Sequence, residues 1–131
     1  MSTQPGPLRV LVADDEHVIA DSLALILRGR GFDCRAAYSG EQAGALALEW
    51  KPDALITDVV MGEKDGVALA MQLAEVLPSC RVLLISGNTM AGELLAGSQR
   101  QGHDFPILAK PVHPNEILEF LAQPGRSAGG D

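Results

Sequence analysis

The sequence predicts an α/β domain, a single doubly wound (βα)5 unit with a five-stranded parallel sheet between layers of helix. Three observations predict it. Between residues 8 and 122, short apolar runs alternate with segments of helical periodicity, the pattern of crossover connections. The chain has 131 residues, 47% hydrophobic and 21% charged, enough for one domain with its own core. The apolar runs end on chemically distinctive residues, and in a parallel sheet all such ends share one rim.

The elements follow in order. Residues 1–7 (MSTQPGP) read as a flexible lead, and Leu8–Ala13 as the first strand. Ile19, Leu23, Ile26 and Leu27 recur at helical spacing and predict the inward face of a first helix, stopped at Gly31. Phe32–Tyr38 is a weaker strand. Ser39 and Gln42 then form a capping box opening a helix that runs to Trp50 and stops before Pro52. The apolar stretch Leu55–Gly62 is a strand buried on both faces, with Asp58 at its far end. Asp65-Gly66 caps the third helix, whose Leu69, Leu73, Val76 and Leu77 share one face. Arg81–Ser86 is the fourth strand. The helix predicted after it, over 90–101, holds Gly92 and Gly97 and should be the least stable. Phe105–Ala109 is the fifth strand, placed at a sheet edge because Pro106 cannot donate to a ladder. Pro114 starts the last helix, Asn115–Ala122, with His113 as N-cap. Residues 123–131 read as a polar, flexible tail.

Composition excludes several functions. A net charge of −7 argues against direct nucleic-acid binding. No apolar run approaches the roughly 20 residues that span a bilayer, and the N-terminus lacks the basic head and apolar stretch of a secretory signal. Cys34 and Cys80 form no CxxC and read as structural thiols of a cytoplasmic protein.

The rim carries the chemistry. It collects Asp14 and Asp15 after the first strand, Asp58 after the third, Ser86 after the fourth and Lys110 after the fifth. Carboxylates without His or Cys select a hard cation, Mg2+. One carboxylate can then act as nucleophile toward a phosphoryl group, forming an acyl phosphate. A hydroxyl from Ser86 and the charge of Lys110 would serve the phosphoryl oxygens. No GxxxxGK[ST] is present, so nothing points to ATP as donor.

This ordered set resembles the response-regulator receiver domain of two-component signalling, chemotaxis-receiver-like, over residues 8–122. The matching residues are Asp14-Asp15-Glu16, Asp58 in ITDVVM, Asp65-Gly66, Ser86-Gly87 and Lys110-Pro111. The resemblance implies a flavodoxin-like sheet in the order 2-1-3-4-5, an order for which the family is a standard example. It implies phosphoryl transfer to Asp58 from a histidine kinase or histidine phosphotransfer protein. Mg2+ would be held by Asp15, Asp58, the carbonyl of Val60 and, through water, Asp14. Ser86, Gly87 and Lys110 would bind the phosphoryl group. The signal would pass to an output protein over the surface of the fourth helix, fifth strand and fifth helix. A cis peptide before Pro111 also belongs to the pattern.

Three positions depart from the family. Gly62 stands where Pro is common, Val60 offers no polar side chain, and Ile107 replaces the usual aromatic switch residue. Ile107 can follow a movement of Ser86 only in part, which shifts the expected change to Gly87–Thr89 and the helix beyond. Haloacid-dehalogenase-like phosphatases share the strand-end nucleophile but need a second Asp two residues later, where this chain has Val60. A receiver-like interaction module without phosphorylation would have lost an acid or the lysine, and all are present. The expectation is a signalling module and not an enzyme.

Overall fold

The structure, a computed structural model, describes residues 7–59, 66–87, 105–110 and 112–122. Five strands, β1 (Arg9–Ala13), β2 (Asp33–Ala37), β3 (Ala54–Asp58), β4 (Arg81–Ser86) and β5 (Ile107–Ala109), form one sheet. Its order is β2-β1-β3-β4-β5, and every pair is parallel. The helices are α1 (His17–Gly29), α2 (Gly40–Trp50), α3 (Gly66–Val76) and a C-terminal helix, Pro114–Ala122. The helix predicted over 90–101 lies outside the described residues, as do Val60, Gly62, Asp65, Pro111 and both terminal segments. No helix among the described residues is long and apolar enough to cross a membrane.

Alternation along the strands builds two cores, one on each face. Leu11, Leu55 and Leu84 point to α2 and α3, where Ala43, Ala47, Leu69 and Leu73 meet them. Val10, Val12, Ile56 and Leu83 point to the other side, against Ala20, Ala24 and Leu27 of α1 and Ile117 and Leu121 of the C-terminal helix. The central strand β3 is buried along its whole length.

Several expectations shift. The inward face of α1 is Ala20, Ala24 and Leu27, while Ile19 and Ile26 are each 36% exposed. Two alanines let the helix lie close on the sheet, and the larger side chains fan out to its flanks. Likewise α3 buries Leu69 and Leu73 but leaves Val76 exposed in its last turn. Strand β3 ends at Asp58. Strand β5 is shorter than predicted, because Pro106 contributes its carbonyl to Leu84 N–H (3.0 Å) but has no N–H to extend the ladder. The capping box is offset by one: Ser39 Oγ accepts from Gln42 N–H (3.0 Å), but Gln42 Oε1 accepts from Tyr38 N–H (2.8 Å). Lys51 closes α2 in a left-handed conformation, φ 56°, immediately before Pro52. His113 does cap the last helix. Its Nδ1 accepts from Asn115 N–H (3.2 Å), and Glu116 Oε1 accepts from His113 N–H (3.1 Å).

Candidate functional site

The strand order reverses between β1 and β3, so these neighbours send their connections to opposite faces and open a crevice at their carboxyl ends. Ala13 is in register with Thr57, and Asp14 and Asp58 therefore leave the sheet side by side. Asp14 is 4% and Asp58 6% exposed, whereas Asp15 lies in solvent. One carboxylate oxygen from each of Asp14, Asp15 and Asp58 lies within 4.8 Å of the others. Asp14 Oδ1 accepts from Glu16 N–H (2.9 Å) just ahead of α1, whose N-cap Glu16 makes no side-chain cap bond, so helix capping does not account for the acids here.

Lys110 reaches this pair from the sheet edge. It leaves β5, crosses β4 and donates from Nζ to Asp58 Oδ2 at 2.7 Å. That span is about two strand spacings, ~10 Å. Lys110 N–H donates to Ser86 O (2.8 Å), which fixes where the side chain starts. Gly87 clears its path: a Cβ there would stand 3.0 Å from Lys110 Cδ and 3.3 Å from its Cβ. Ser86 is half-buried at the end of β4, one step beyond Ile85, the partner of Asp58 across the sheet.

Two residues outside the predicted site set shape the Asp58 backbone. Thr57, fully buried, donates its hydroxyl to Asp58 O (3.1 Å). Gly66 starts α3 so close to that carbonyl that a Cβ would lie 2.0 Å from Asp58 O. Its N–H meanwhile donates to Val59 O (2.7 Å). Asp65-Gly66 signalled a helix start in the sequence; the close approach could not be seen without the packing of helix on strand.

Electrostatics set the site apart. Burial pushes the Asp14 carboxyl above its usual range, and the charges of Asp58 and Asp15 push the same way, against the Glu16 N–H bond and Lys110. For Lys110, burial works against the charge. The hydrogen bond and charge of Asp58, with Asp14 and Glu16 behind it, outweigh burial and hold the ammonium above its ordinary value. Three acids and no His or Cys make an oxygen-only donor set that suits a hard divalent cation. Val60, expected to add a carbonyl, lies outside the described residues. Ile107 is 37% exposed on the outer edge of the sheet and takes no part in the acid cluster.

Known proteins resemble this chain in sequence and fold. A family model described as the response regulator receiver domain matches residues 10–122. A response regulator receiver protein of Anaeromyxobacter is 35% identical over 112 residues, 86% of this chain and 46% of that protein. Response regulator MprA of Mycolicibacterium vanbaalenii is 30% identical over 112 residues, 86% of this chain and 48% of its own length. The chain thus spans about half the length of the curated relatives it matches. Among solved structures, a CheY-like receiver domain protein from Methanospirillum hungatei superposes with a TM-score of 0.77 at 22% identity, covering 88% of this chain and 91% of its own. A Burkholderia pseudomallei response regulator has a TM-score of 0.74 at 30% identity, over 85% of this chain and 64% of its own; it holds a phosphorylated aspartic acid, a calcium ion and citrate. Sheet order and sequence agree, and the chain belongs to the response regulator receiver domain family of two-component signalling.

Proposed function

We propose that Asp58 is the phosphoacceptor of this receiver, taking its phosphoryl group from the phosphohistidine of a histidine kinase or histidine phosphotransfer protein. The observation that carries the reading is a nearly buried carboxylate, 6% exposed, with an ammonium at 2.7 Å and two further acids beside it. An Asp58 oxygen forms the new O–P bond while the N–P bond of the donor breaks and the imidazole leaves. Lys110 already points at the reacting end and moves from the carboxylate to a phosphoryl oxygen. The Ser86 hydroxyl is the candidate donor to a second oxygen. Asp14, Asp15 and Asp58 would hold Mg2+, which when bound offsets the negative charge gathered between acids and phosphoryl group. The phosphorylated aspartic acid and calcium ion of the Burkholderia regulator support the same reading by analogy.

The proposed setting is the cytoplasm. The output surface would be β5 and the C-terminal helix with the segment between β4 and β5, and Ile107 would give that surface an apolar point. Acetyl phosphate with Mg2+ should label the wild-type chain at Asp58, detected by intact mass and peptide mapping. Asp58→Asn should lose the label, and excess chelator should prevent it. Equal labelling of Asp58→Asn, or undiminished labelling in chelator, ends this reading.

A further inference from the structure

Strand β2 is one edge of the sheet, and its outer side is only partly closed. Asp33 N–H donates to Leu8 O (2.9 Å) and Ala37 O accepts from Asp14 N–H (3.1 Å). In a parallel ladder both backbone groups of a residue face the same side, so residues 33, 35 and 37 turn toward β1 and Cys34, Ala36 and Tyr38 turn outward. Two outward groups are taken: Arg28 Nε donates to Cys34 O (2.9 Å), and Tyr38 N–H donates to Gln42 Oε1 (2.8 Å). Between these stoppers, the N–H and C=O of Ala36 have no partner among the described residues.

The gap opens into a groove of about 580 Å³ between α1 and α2. Leu25, 68% exposed, and Leu46 form apolar walls, and Arg28 and Arg35 line it with positive charge. The one acid in the lining, Asp21, accepts from the Tyr38 hydroxyl at 2.6 Å. Arg35 stacks over Trp50 with its guanidinium 4.6 Å from the ring centroid, which holds it in place and leaves its N–H groups at the surface. A positive groove is unexpected on a chain of net charge −7.

We propose that this edge docks one extended, acidic segment of a partner protein. The segment would lie along β2 as a short sixth strand, pairing its backbone with Ala36. Its carboxylates would meet Arg28 and Arg35, and small apolar side chains between them would rest on Leu25 and Leu46. Charge complementarity favours this occupant over a second copy of the chain, which would bring Arg35 toward Arg35. The groove shares no residue with the acid cluster, so the inference is independent of phosphorylation at Asp58.

The test titrates the 15N-labelled full chain with an Asp-Asp-Val-Val repeat peptide, which as a strand presents both residue types on each face, and, separately, a Lys-Lys-Val-Val repeat peptide. The acidic peptide should shift the amides of residues 34–38 and slow hydrogen exchange at Ala36, with at least tenfold tighter binding than the basic one. Arg35→Glu should reverse that preference while leaving acetyl phosphate labelling of Asp58 intact. Silence at residues 34–38, equal response to both peptides, or protection of Ala36 that rises with protein concentration alone would each overturn the proposal. The last outcome would assign the edge to self-association.

Discussion

The two ends of the sheet handle charge in opposite ways. At the amino ends of the strands, arginines are absorbed into structure. Arg9 donates to Trp50 O (2.7 Å) with its guanidinium 5.9 Å from the Trp50 ring, and its N–H meets Asp53 Oδ2 (2.9 Å). Arg81 bonds Phe120 O and lies 4.4 Å over the Phe120 ring, tying β4 to the C-terminal helix. At the carboxyl ends, Asp14, Asp15 and Asp58 stand within 4.8 Å with Lys110 as their near cation. Charge at the first end holds the fold together. At the second it is held against its own repulsion, and that unrelieved excess is what a cation and a phosphoryl group can use.

The largest effect expected is steric. Gly66→Ala puts a Cβ against the Asp58 carbonyl, so α3 or the Asp58 backbone must move. Urea unfolding should show a loss of ~3 kcal/mol or more, at the upper end of overpacking costs, with labelling reduced in the same protein. A variant of wild-type stability would mean that α3 does not seat there. Arg81→Ala comes next: losing a charged hydrogen bond and a ring contact should cost about 1–2 kcal/mol and leave labelling of Asp58 at the wild-type rate. Slowed labelling would show that the two ends are coupled after all.

Asp14→Asn should act in the opposite sense. The raised pKa of Asp14 means that its ionised form opposes folding once the pH exceeds the ordinary carboxylate value. Removing the charge should therefore raise the melting temperature without Mg2+, and shrink the increment that Mg2+ adds. Asparagine can still accept from Glu16 N–H, so that bond survives. A lower melting temperature without metal would refute the contrast drawn between the ends.

The smallest effect at neutral pH concerns the interior between them. Burial pushes Cys34 up to about 11 and Cys80 up to about 12. Both thiols should resist alkylation at about pH 8 until urea unfolds the chain. Folded values above unfolded ones mean that this contribution is complete below about pH 9 and lost as pH rises through the folded values. Stability should thus decline from that point upward, and rapid alkylation of native protein would contradict the burial.

Much of the site was legible because it sits at strand ends, where apolar runs stop abruptly on Asp14, Asp58, Ser86 and Lys110. The alternation of runs and helical segments likewise carried the sheet and its parallel pairing. Helix faces were less legible. Counting large side chains selected Ile19 and Ile26, whereas contact with the sheet selected Ala20 and Ala24, since close packing rewards small residues that a hydropathy pattern undervalues. Gly66 and Thr57 were hidden for a related reason: their importance lies in a carbonyl they crowd or bond, and one sequence does not show which backbone atoms approach.

Trp50 is the sole tryptophan, 8% exposed and clasped by Arg9 and Arg35. Five residues of β1 separate that clasp from the acid pair, about 16 Å of extended chain. Its emission should therefore gauge whether the sheet is assembled, from a point well away from Asp58. In this protein an optical unfolding curve should register occupancy of the acid site only through the stability that a bound cation adds.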